Sequence, residues 1–499
     1  MADFRSSFKR GFMWMGSASL VAGLVDLISL VVLLRFLTRE QMGLATLAWT
    51  AAVIIEALNG LGVGYGLVQA SSVTRRQIDS LFWFVMGCSG LLTLAVAAVS
   101  PLIASFYGSP ELWPMIIVAA SKLLFVGAAL VPLQLLNREL RYREIAVART
   151  LGTFASAAAK IVLAVAGLGT WAPVIGHTVY GVAFCVAVFA ARPLVPRLVF
   201  AYKEIRPFIQ FGLKASVSAI IYQFSRNMDY LIVGRVFGKE ILGLYRVAFD
   251  IAMTPAEVLL QVVNRTVFPL FCQVKDRVKE LAESFVWTQR SLALLLVPLA
   301  VFLSFGASGV MSILGKSEWS QAAPAIPILA WAAVVRILAR VYPQLFLALG
   351  SPQLAVFDSF LTLAVLAAMF AASIAWASET TGVLAVCYAW LFAYTLIILV
   401  LGLVTRRLIV IPWRMHLSAF KDPAVMAAVA AVPACLLSLI RERFSLSPAV
   451  SSILMGVLIL ASIQVFIRRR GVSIKDFIEG NISGGTRPDG ISQDEEERM

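Results

Sequence analysis

Fourteen apolar segments follow one another along this chain of 499 residues. A helix crosses the hydrocarbon layer with about 20 residues, because only regular helices satisfy their own backbone polar groups there. Hydrophobic residues make up 60% of the chain and charged residues 14%, and a soluble globule could not cover so much apolar surface. We therefore expect an all-α integral membrane protein with about 14 transmembrane helices. Their centres are predicted near Leu24, Val53, Leu92, Leu124, Ala158, Val182, Ile221, Pro255, Leu296, Val334, Leu366, Leu391, Val432 and Leu458.

The placement of positive charge predicts the orientation of these helices. With the N-terminus in the cytoplasm, 27 of the 42 Lys and Arg residues fall in cytoplasmic loops, seven in outer loops and eight within spans. This bias predicts that both termini are cytoplasmic. It also accounts for the net charge of +14 without a nucleic-acid partner. The apolar run after "MADFRSSFKRGF" is too long for a signal peptide, so we expect the first span to be retained.

A short hydrophilic motif occurs twice, 200 residues apart. The stretches "RFLTREQMGL" (Arg35 to Leu44) and "RVFGKEILGL" (Arg235 to Leu244) share Arg, Glu, Gly and Leu at corresponding positions. Six predicted spans separate the two copies, so both should lie on the outer side. This predicts a parallel repeat about an axis along the membrane normal, an architecture used for alternating access. The motif itself either shapes an interfacial turn or contacts the substrate.

The repeat predicts the organisation of the chain. We expect two six-helix lobes in parallel pseudo-repeat, at residues 1–200 and 201–410, followed by a C-terminal helix pair at residues 411–470. The Pro-rich, basic stretch "ARPLVPRLVFAYKEIRPF" is predicted to link the lobes on the cytoplasmic side. Residues 471–499 are polar and are predicted to form a disordered cytoplasmic tail.

Ionisable residues within the spans are the candidate functional residues, because a charge in a span is costly and usually faces a cavity. Arg149, Thr153, Ser156 and Lys160 are spaced as on one helical face. Arg binds phosphate oxygens with a planar fork, and a carboxylate can couple transport to protons or Na⁺. The candidates for a cationic headgroup cavity are Arg226, Arg336, Arg340, Lys122, Lys160 and Arg149. The candidates for ion coupling are Asp26, Asp229, Asp250 and Glu257.

Each of these charges has a second interpretation. Arg226 can pair with Asp229, Asp250 or Glu257 as a structural salt bridge. Arg149 can serve the positive-inside bias alone. His177 can be a proton carrier or an ordinary satisfied polar residue.

Several kinds of site have no signature in the sequence. The chain has no phosphate-binding G-x-x-x-x-G-K motif, no H-E-x-x-H and no G-x-S-x-G. Its five cysteines are scattered, so we interpret them as small buried residues. No metal site or cofactor is expected, apart from coupling to H⁺ or Na⁺.

Three stretches carry a family resemblance: "LLRFLTREQMGL", "LVQASSVTRRQIDSLFW" and "PLQLLNRELRYREIAVAR". From about residue 8 to 467 the chain resembles the Wzx-type, colanic-acid-exporter-like flippases of the multidrug/oligosaccharidyl-lipid/polysaccharide (MOP) exporter superfamily. The resemblance implies fourteen helices, with two six-helix lobes forming a V and a peripheral last pair.

The same resemblance implies a cargo and partners. The cargo would be an undecaprenyl-diphosphate-linked oligosaccharide, moved from the cytoplasmic to the periplasmic leaflet of the bacterial inner membrane for exopolysaccharide or lipopolysaccharide biosynthesis. An ion gradient would drive it. Membrane lipids, a polymerase, a co-polymerase and an initiating phosphoglycosyltransferase would be the partners.

Two other functions remain open at this point. A multidrug exporter of the same superfamily would carry organic cations, but the spans hold eight basic and six acidic residues, a balance that favours an anionic cargo. A membrane polysaccharide polymerase or ligase would need a large outer loop. The predicted outer loops are too short for this, so we expect a transporter rather than an enzyme.

Overall fold

The computed structural model describes residues 2–70, 72–377, 382–408, 413–444 and 447–470. These residues form sixteen α-helices and two short 3₁₀ segments, Asn59–Gly62 and Ser317–Ala322. The tail predicted for residues 471–499 lies outside the described residues. The helices are α1 (Ala2–Phe36), α2 (Arg39–Glu56), α3 (Val63–Gln69), α4 (Arg75–Phe106), α5 (Leu112–Arg138), α6 (Tyr142–Val165), α7 (Trp171–Ala191), α8 (Tyr202–Val236), α9 (Gly238–Val274), α10 (Val278–Leu314), α11 (Ala325–Ala339), α12 (Val341–Ala348), α13 (Pro352–Trp376), α14 (Leu384–Leu408), α15 (Trp413–Phe444) and α16 (Pro448–Arg470).

The helices are those of a multi-pass membrane protein. Every predicted span centre falls within a helix, and ten helical segments of the described chain are long and apolar enough to cross a membrane. The all-α prediction is thus confirmed, whereas the number fourteen stays a prediction. Four helices that contain predicted span centres, α2, α8, α9 and α16, are not among the ten, and α16 has a shorter apolar segment, Pro448–Gln464.

Helix packing divides the described chain into two halves that meet along few helices. In the first half, α1 packs on α6, while α5 packs on α4 and α7. In the second half, α9 and α14 pack on α11, and α13 packs on α8 and α14. The helices α15 and α16 pack on α10. The halves meet mainly where α2 contacts α8 and α9 and where α3 contacts α8, with a smaller contact between α1 and α9. The boundaries predicted at residues 200 and 410 fall between α7 and α8 and between α14 and α15.

The two copies of the repeated motif make tight helix-to-helix turns by different means. Between α1 and α2, Thr38 is the N-cap of α2: its hydroxyl accepts from the Gln41 backbone N–H, and the Gln41 side chain accepts from the Thr38 N–H. This capping box satisfies two otherwise free donors. Between α8 and α9, Gly238 has a φ of +82°, a conformation that glycine adopts at little cost. Both turns therefore reverse the chain within a few residues.

The helix that begins at Ala325 is interrupted at Arg340, between α11 and α12. Pro343 explains the break, because proline has no N–H to bond the carbonyl of Ala339 and its ring crowds that carbonyl. The break falls at the predicted site residue Arg340, four residues after Arg336 in the last turn of α11.

The predicted topology can be tested with two serines at opposite ends of the helices. Ser72 lies before α4 and Ser317 lies after α10, and both are exposed. We expect Ser317→Cys to react with a membrane-impermeant thiol reagent in intact cells whose outer membrane is permeabilised. Ser72→Cys should react only after the inner membrane is opened. Both variants are made in a background with the five native cysteines replaced by Ala. The reverse pattern would place the termini outside.

Candidate functional site

A polar cavity lies between the two halves. It has two adjoining compartments, of about 740 Å³ and about 340 Å³, which share Asp26, Trp49, Arg226, Arg246 and Asp250 in their linings. Residues of α1 from Ala18 to Leu33 follow its length. The larger compartment is nearer the turn between α1 and α2, because Leu33 and Met42 line it. Helices α2 and α5–α9 complete the lining.

The polar stripe predicted on α6 faces this cavity along its whole length. Arg149 and Thr153 line the smaller compartment, and Thr153, Ser156 and Lys160 line the larger one. Lys160 Nζ lies 4.0 Å from Asp26 Oδ1 on α1, so the stripe joins the acidic candidate of the first span. Helical spacing alone therefore identified one side of the cavity.

Three charged or polar residues that are isolated in the sequence meet in the larger compartment. Lys122 Nζ lies 3.0 Å from Glu56 Oε2 and 3.2 Å from His177 Nε2. An ammonium group has only donors, so His177 accepts through Nε2 in this arrangement. Lys122 also lies over the ring of Tyr180, 5.4 Å from its centroid. The structure thus gives His177 a defined partner on the cavity surface.

Arg246 is a cavity residue that the sequence reasoning missed. Its Nε lies 2.7 Å from Asp250 Oδ2, and its guanidinium carbon lies 4.3 Å from the ring centroid of Trp49 and 5.1 Å from that of Tyr230. Trp49 belongs to α2 and the other residues to α8 and α9, so Arg246 bridges the two halves. Its spacing of four from Asp250 and eleven from Glu257 puts all three on one face of α9. That spacing could have revealed it.

Glu257 bridges two of the predicted headgroup residues. Its Oε2 lies 3.2 Å from Arg226 Nη2 and its Oε1 lies 2.8 Å from Arg336 Nη2. The side chain of Arg226 is 39% exposed and that of Arg336 only 2%. Arg226 therefore faces the cavity, whereas Arg336 lies behind it within the second half. Of the pairings open for Arg226, the structure has the one with Glu257.

Arg340 lies deeper in the second half, beside a small separate cavity. Its Nη1 is 3.9 Å from Asp358 Oδ2, and its guanidinium carbon lies 4.8 Å from the ring centroid of Tyr222. The Nε atoms of Arg336 and Arg340 are buried and have no hydrogen-bond partner within the described part of the chain. Arg226 lines this small cavity as well as the main one, so it connects them. The small cavity is lined by Tyr222, Ser225, Arg226, Arg336, Arg340, Ser359, Thr362 and Tyr394.

Asp229 has a different position from the other acidic candidates. It is fully buried and accepts a hydrogen bond from Tyr245 Oη at 2.6 Å. Tyr245 Oη in turn accepts from Trp390 Nε1 at 2.8 Å. Asp229 is not part of the lining of either cavity compartment, and its contacts tie α8 to α9 and α14.

The charges on the surface of the main cavity nearly balance, with a small positive excess. Five basic and four acidic side chains line its two compartments, and four of the basic residues are in ion pairs with those acids. Among the described residues Arg149 has no ion pair within 4.0 Å. Arg149 can therefore accept an anion without taking a cation from a carboxylate, whereas an anion at the other four basic residues would compete with these ion pairs. The nine residues are Lys122, Arg149, Lys160, Arg226, Arg246, Asp26, Glu56, Asp250 and Glu257.

Residues 32–324 match the model of a family described as "Polysaccharide biosynthesis protein", which covers more than half of the chain. The chain belongs to this family. Among curated members of similar sequence, the Teichuronic acid biosynthesis protein TuaB of Bacillus subtilis (strain 168) is 25% identical over 455 residues, covering 89% of this chain and 92% of TuaB. The Lipopolysaccharide biosynthesis protein WzxC of Escherichia coli (strain K12) is 21% identical, covering 68% of this chain and 69% of WzxC.

A solved structure supports the fold of this polysaccharide biosynthesis protein. The structure described as "Lipid II flippase MurJ, inward closed conformation" matches with a TM-score of 0.73 and 11% identity, covering 92% of this chain and 99% of that one. At this identity the match shows the fold alone. The family match and the similarity to WzxC confirm the recognition of a Wzx-type protein, which is a transporter, and the MurJ structure adds only the fold.

The predicted site residues thus fall into three groups in this family member. Arg149, Lys122, Lys160, Arg226, Asp26, Asp250 and Glu257 line the main cavity. Arg336 and Arg340 lie around the small cavity behind Arg226. Asp229 is internal to the second half. The assignment of these residues to headgroup binding or ion coupling stays a prediction.

Proposed function

We propose that this protein is a flippase for undecaprenyl-diphosphate-linked oligosaccharide repeat units, moving them from the cytoplasmic to the periplasmic leaflet for exopolysaccharide or lipopolysaccharide biosynthesis. The observation that carries the proposal is the net cationic cavity between the halves of a polysaccharide biosynthesis family member. The bacterial inner membrane is the proposed location, with both termini in the cytoplasm.

The chemistry of the cavity suits a diphosphate joined to sugars. Arg226 and Arg246 present guanidinium groups whose planar forks match phosphate oxygens. Trp49, Tyr180 and Tyr230 add aromatic rings to the same lining, and such rings offer apolar faces with a polar edge. An arriving diphosphate would exchange places with the cavity carboxylates as the partner of these cations.

The replacement of a carboxylate by a cargo phosphate as the partner of a basic residue would also couple transport to an ion gradient. Asp250 pairs with Arg246, and Asp26 lies near Lys160. Binding of H⁺ or Na⁺ to one of these carboxylates would release its cation for the cargo phosphates. Ion and cargo would therefore depend on each other through a shared cation.

A multidrug exporter is the alternative that the four cavity carboxylates favour. Organic cations bind best where acidic or aromatic groups dominate. Here each carboxylate already faces a basic residue within 4.0 Å, so a cationic drug would have to displace Lys or Arg. This arrangement supports the flippase. Polysaccharide polymerase, co-polymerase and the initiating phosphoglycosyltransferase are the proposed pathway partners.

Transport by purified protein in proteoliposomes tests the proposal. We expect the protein to move a radiolabelled undecaprenyl-diphosphate oligosaccharide between leaflets, read out by its accessibility to an added glycosidase. Liposomes without protein provide the background, and a fluorescent organic cation tests the alternative. Gradient-dependent efflux of the cation without movement of the lipid-linked sugar would contradict the flippase.

A further inference from the structure

The small cavity behind Arg226 is lined by hydrogen-bond donors. Of the eight described residues around it, three carry guanidinium groups, five carry hydroxyl groups and none is acidic. A guanidinium group only donates hydrogen bonds, and a hydroxyl group can donate one. A lining of this kind favours a bound anion and disfavours a bound cation.

The volume of the small cavity limits what can occupy it. The cavity measures about 10 Å³, which is close to the least space that a single water molecule requires. A diphosphate or a sugar is far larger, so the cargo proposed for the main cavity does not fit here. A chloride ion is only slightly larger than a water molecule, and small side-chain adjustments would accommodate it.

The arginines around the small cavity have fewer carboxylate partners than positive charges. Glu257 is shared between Arg226 and Arg336, at 3.2 Å and 2.8 Å. Asp358 Oδ2 lies 3.9 Å from Arg340 Nη1, a separation longer than a hydrogen bond. Within the described chain, these three cations thus share two carboxylates inside 4.0 Å. One positive charge is left for a bound anion to balance.

Burial makes this uncompensated charge costly. The side chain of Arg336 is 2% exposed and that of Arg340 is 18% exposed, and the Nε atom of each is buried with no hydrogen-bond partner among the described residues. A buried charge is expensive unless it is paired, and a counter-ion in contact with it lowers that cost. Asp229 does not pair with either arginine within 4.0 Å, because its carboxylate accepts from Tyr245 instead.

The interruption between α11 and α12 lies at the same place. Arg340 is the residue at which one helix ends and the next begins. Irregular backbone at membrane depth occurs where it is buried in protein or lines a cavity, and interrupted helices in transporters accompany bound ions. The position of the break is therefore a second, independent indication of an ion site beside Arg340.

We propose that the small cavity binds a single chloride ion, held by Arg336, Arg340 and the hydroxyl groups around them. The ion balances the positive charge that Glu257 and Asp358 leave over. Because Arg226 lines both cavities, chloride in the small cavity and an anionic cargo in the main cavity would lie on two sides of the same residue. The chloride site does not depend on the identity of the cargo.

Equilibrium binding of radiolabelled chloride to the purified protein tests the site without cargo. We expect saturable binding of one chloride ion per chain in a buffer whose other anion is gluconate. Bromide should compete with chloride, whereas pyrophosphate should not, because it is too large for the cavity. The absence of saturable binding at chloride concentrations up to that of physiological saline would overturn the proposal, and so would competition by pyrophosphate as strong as that by bromide.

Two variants of the small cavity locate the ion. Arg340→Gln removes a charge and should weaken chloride binding about tenfold or more. Ser225→Val leaves every charge in place and fills part of the cavity with a methyl group, so it should weaken binding by a similar factor. Arg149→Gln is the matched control, since Arg149 lines the main cavity and is not among the residues that line the small one. Its chloride affinity should stay within about twofold of that of the parent protein.

Thermal unfolding provides the second measurement and shows whether each variant folds. In the parent protein, chloride should raise the Tm above its value in gluconate at equal ionic strength, because the ion binds the folded state. This rise should be absent from Arg340→Gln and Ser225→Val, and if one of them does not fold the other decides. Unchanged chloride affinity in the folded variants, or loss of chloride binding in Arg149→Gln alone, would overturn the proposal. A failure to transport lipid-linked sugar would leave these results standing and would count against the proposed cargo.

Discussion

Replacing Arg226 with Gln is expected to lower export of lipid-linked oligosaccharide about 10- to 100-fold while the protein still inserts and folds. Hydrogen bonds to charged groups contribute about 1.5–3 kcal/mol each, and each 1.4 kcal/mol corresponds to about a factor of ten. Arg226 is the headgroup candidate that lines both the main and the small cavity. Its loss leaves Glu257 with Arg336 at 2.8 Å, so no buried carboxylate is left without a partner.

A Lys substitution separates the contribution of the charge of Arg226 to export from the contribution of its planar guanidinium group. Arg226→Lys should recover part of the activity, because it restores the charge but not the planar fork. Arg277→Gln is the control, since Arg277 is exposed before α10 and pairs with Glu280 outside the cavity. Export is measured by polymer production in cells and by transport in proteoliposomes at matched protein levels. Normal export by Arg226→Gln would remove this residue from headgroup binding.

Replacing Asp250 with Asn is expected to leave a protein that binds cargo but does not respond to an imposed ion gradient. Asn resembles the protonated carboxyl in shape and charge, so it would permanently remove the negative charge that lies 2.7 Å from Arg246 Nε. Cargo binding would then no longer require ion binding. We expect gradient stimulation of transport in proteoliposomes to fall to the level measured without a gradient, for H⁺ and Na⁺ tested separately.

Matched acidic variants show which carboxylate carries the coupling. Asp26→Asn and Glu257→Gln change the other acidic candidates on the cavity surface, and Asp276→Asn changes an exposed acid between α9 and α10. Asp229→Asn should act on folding instead, because Asp229 is buried and bonded to Tyr245. If Asp250→Asn, Glu257→Gln and Asp26→Asn all stay fully gradient-dependent, coupling lies outside these residues.

Local periodicity predicted one part of the site that belongs to a single helix. The stripe from Arg149 to Lys160 was readable because helical neighbours are fixed by spacing alone, and the same reasoning could have added Arg246 beside Asp250 on α9. The grouping of Glu56, Lys122 and His177 was not readable, since these residues come from α2, α5 and α7. Their contacts depend on how the three helices pack, which spacing within one helix does not determine.

The hydropathy of the sequence predicted the all-α architecture. The features of the fold that it did not predict have local causes. The all-α membrane architecture was predicted from apolar segments of spanning length. The interruption at Arg340 was not predicted, although Pro343 causes it. The internal position of Asp229 was not predicted either. Its spacing from Arg226 suggested a pair, but Arg226 faces Glu257 on α9 and Asp229 faces Tyr245.

The two motif turns contact each other reciprocally, because Lys239 Nζ lies 2.6 Å from Glu40 Oε1 and Arg39 Nη2 lies 3.8 Å from Glu240 Oε2, and this has a consequence for assembly. An interface in which each side presents the same residues is self-complementary, as in a two-fold homodimer. Two copies of the first half could in principle make the same contact, with Arg39 of one facing Glu40 of the other. The turns alone therefore do not specify the correct pairing. Covalent connection does, because two halves joined by a short linker meet at an effective concentration in about the millimolar range.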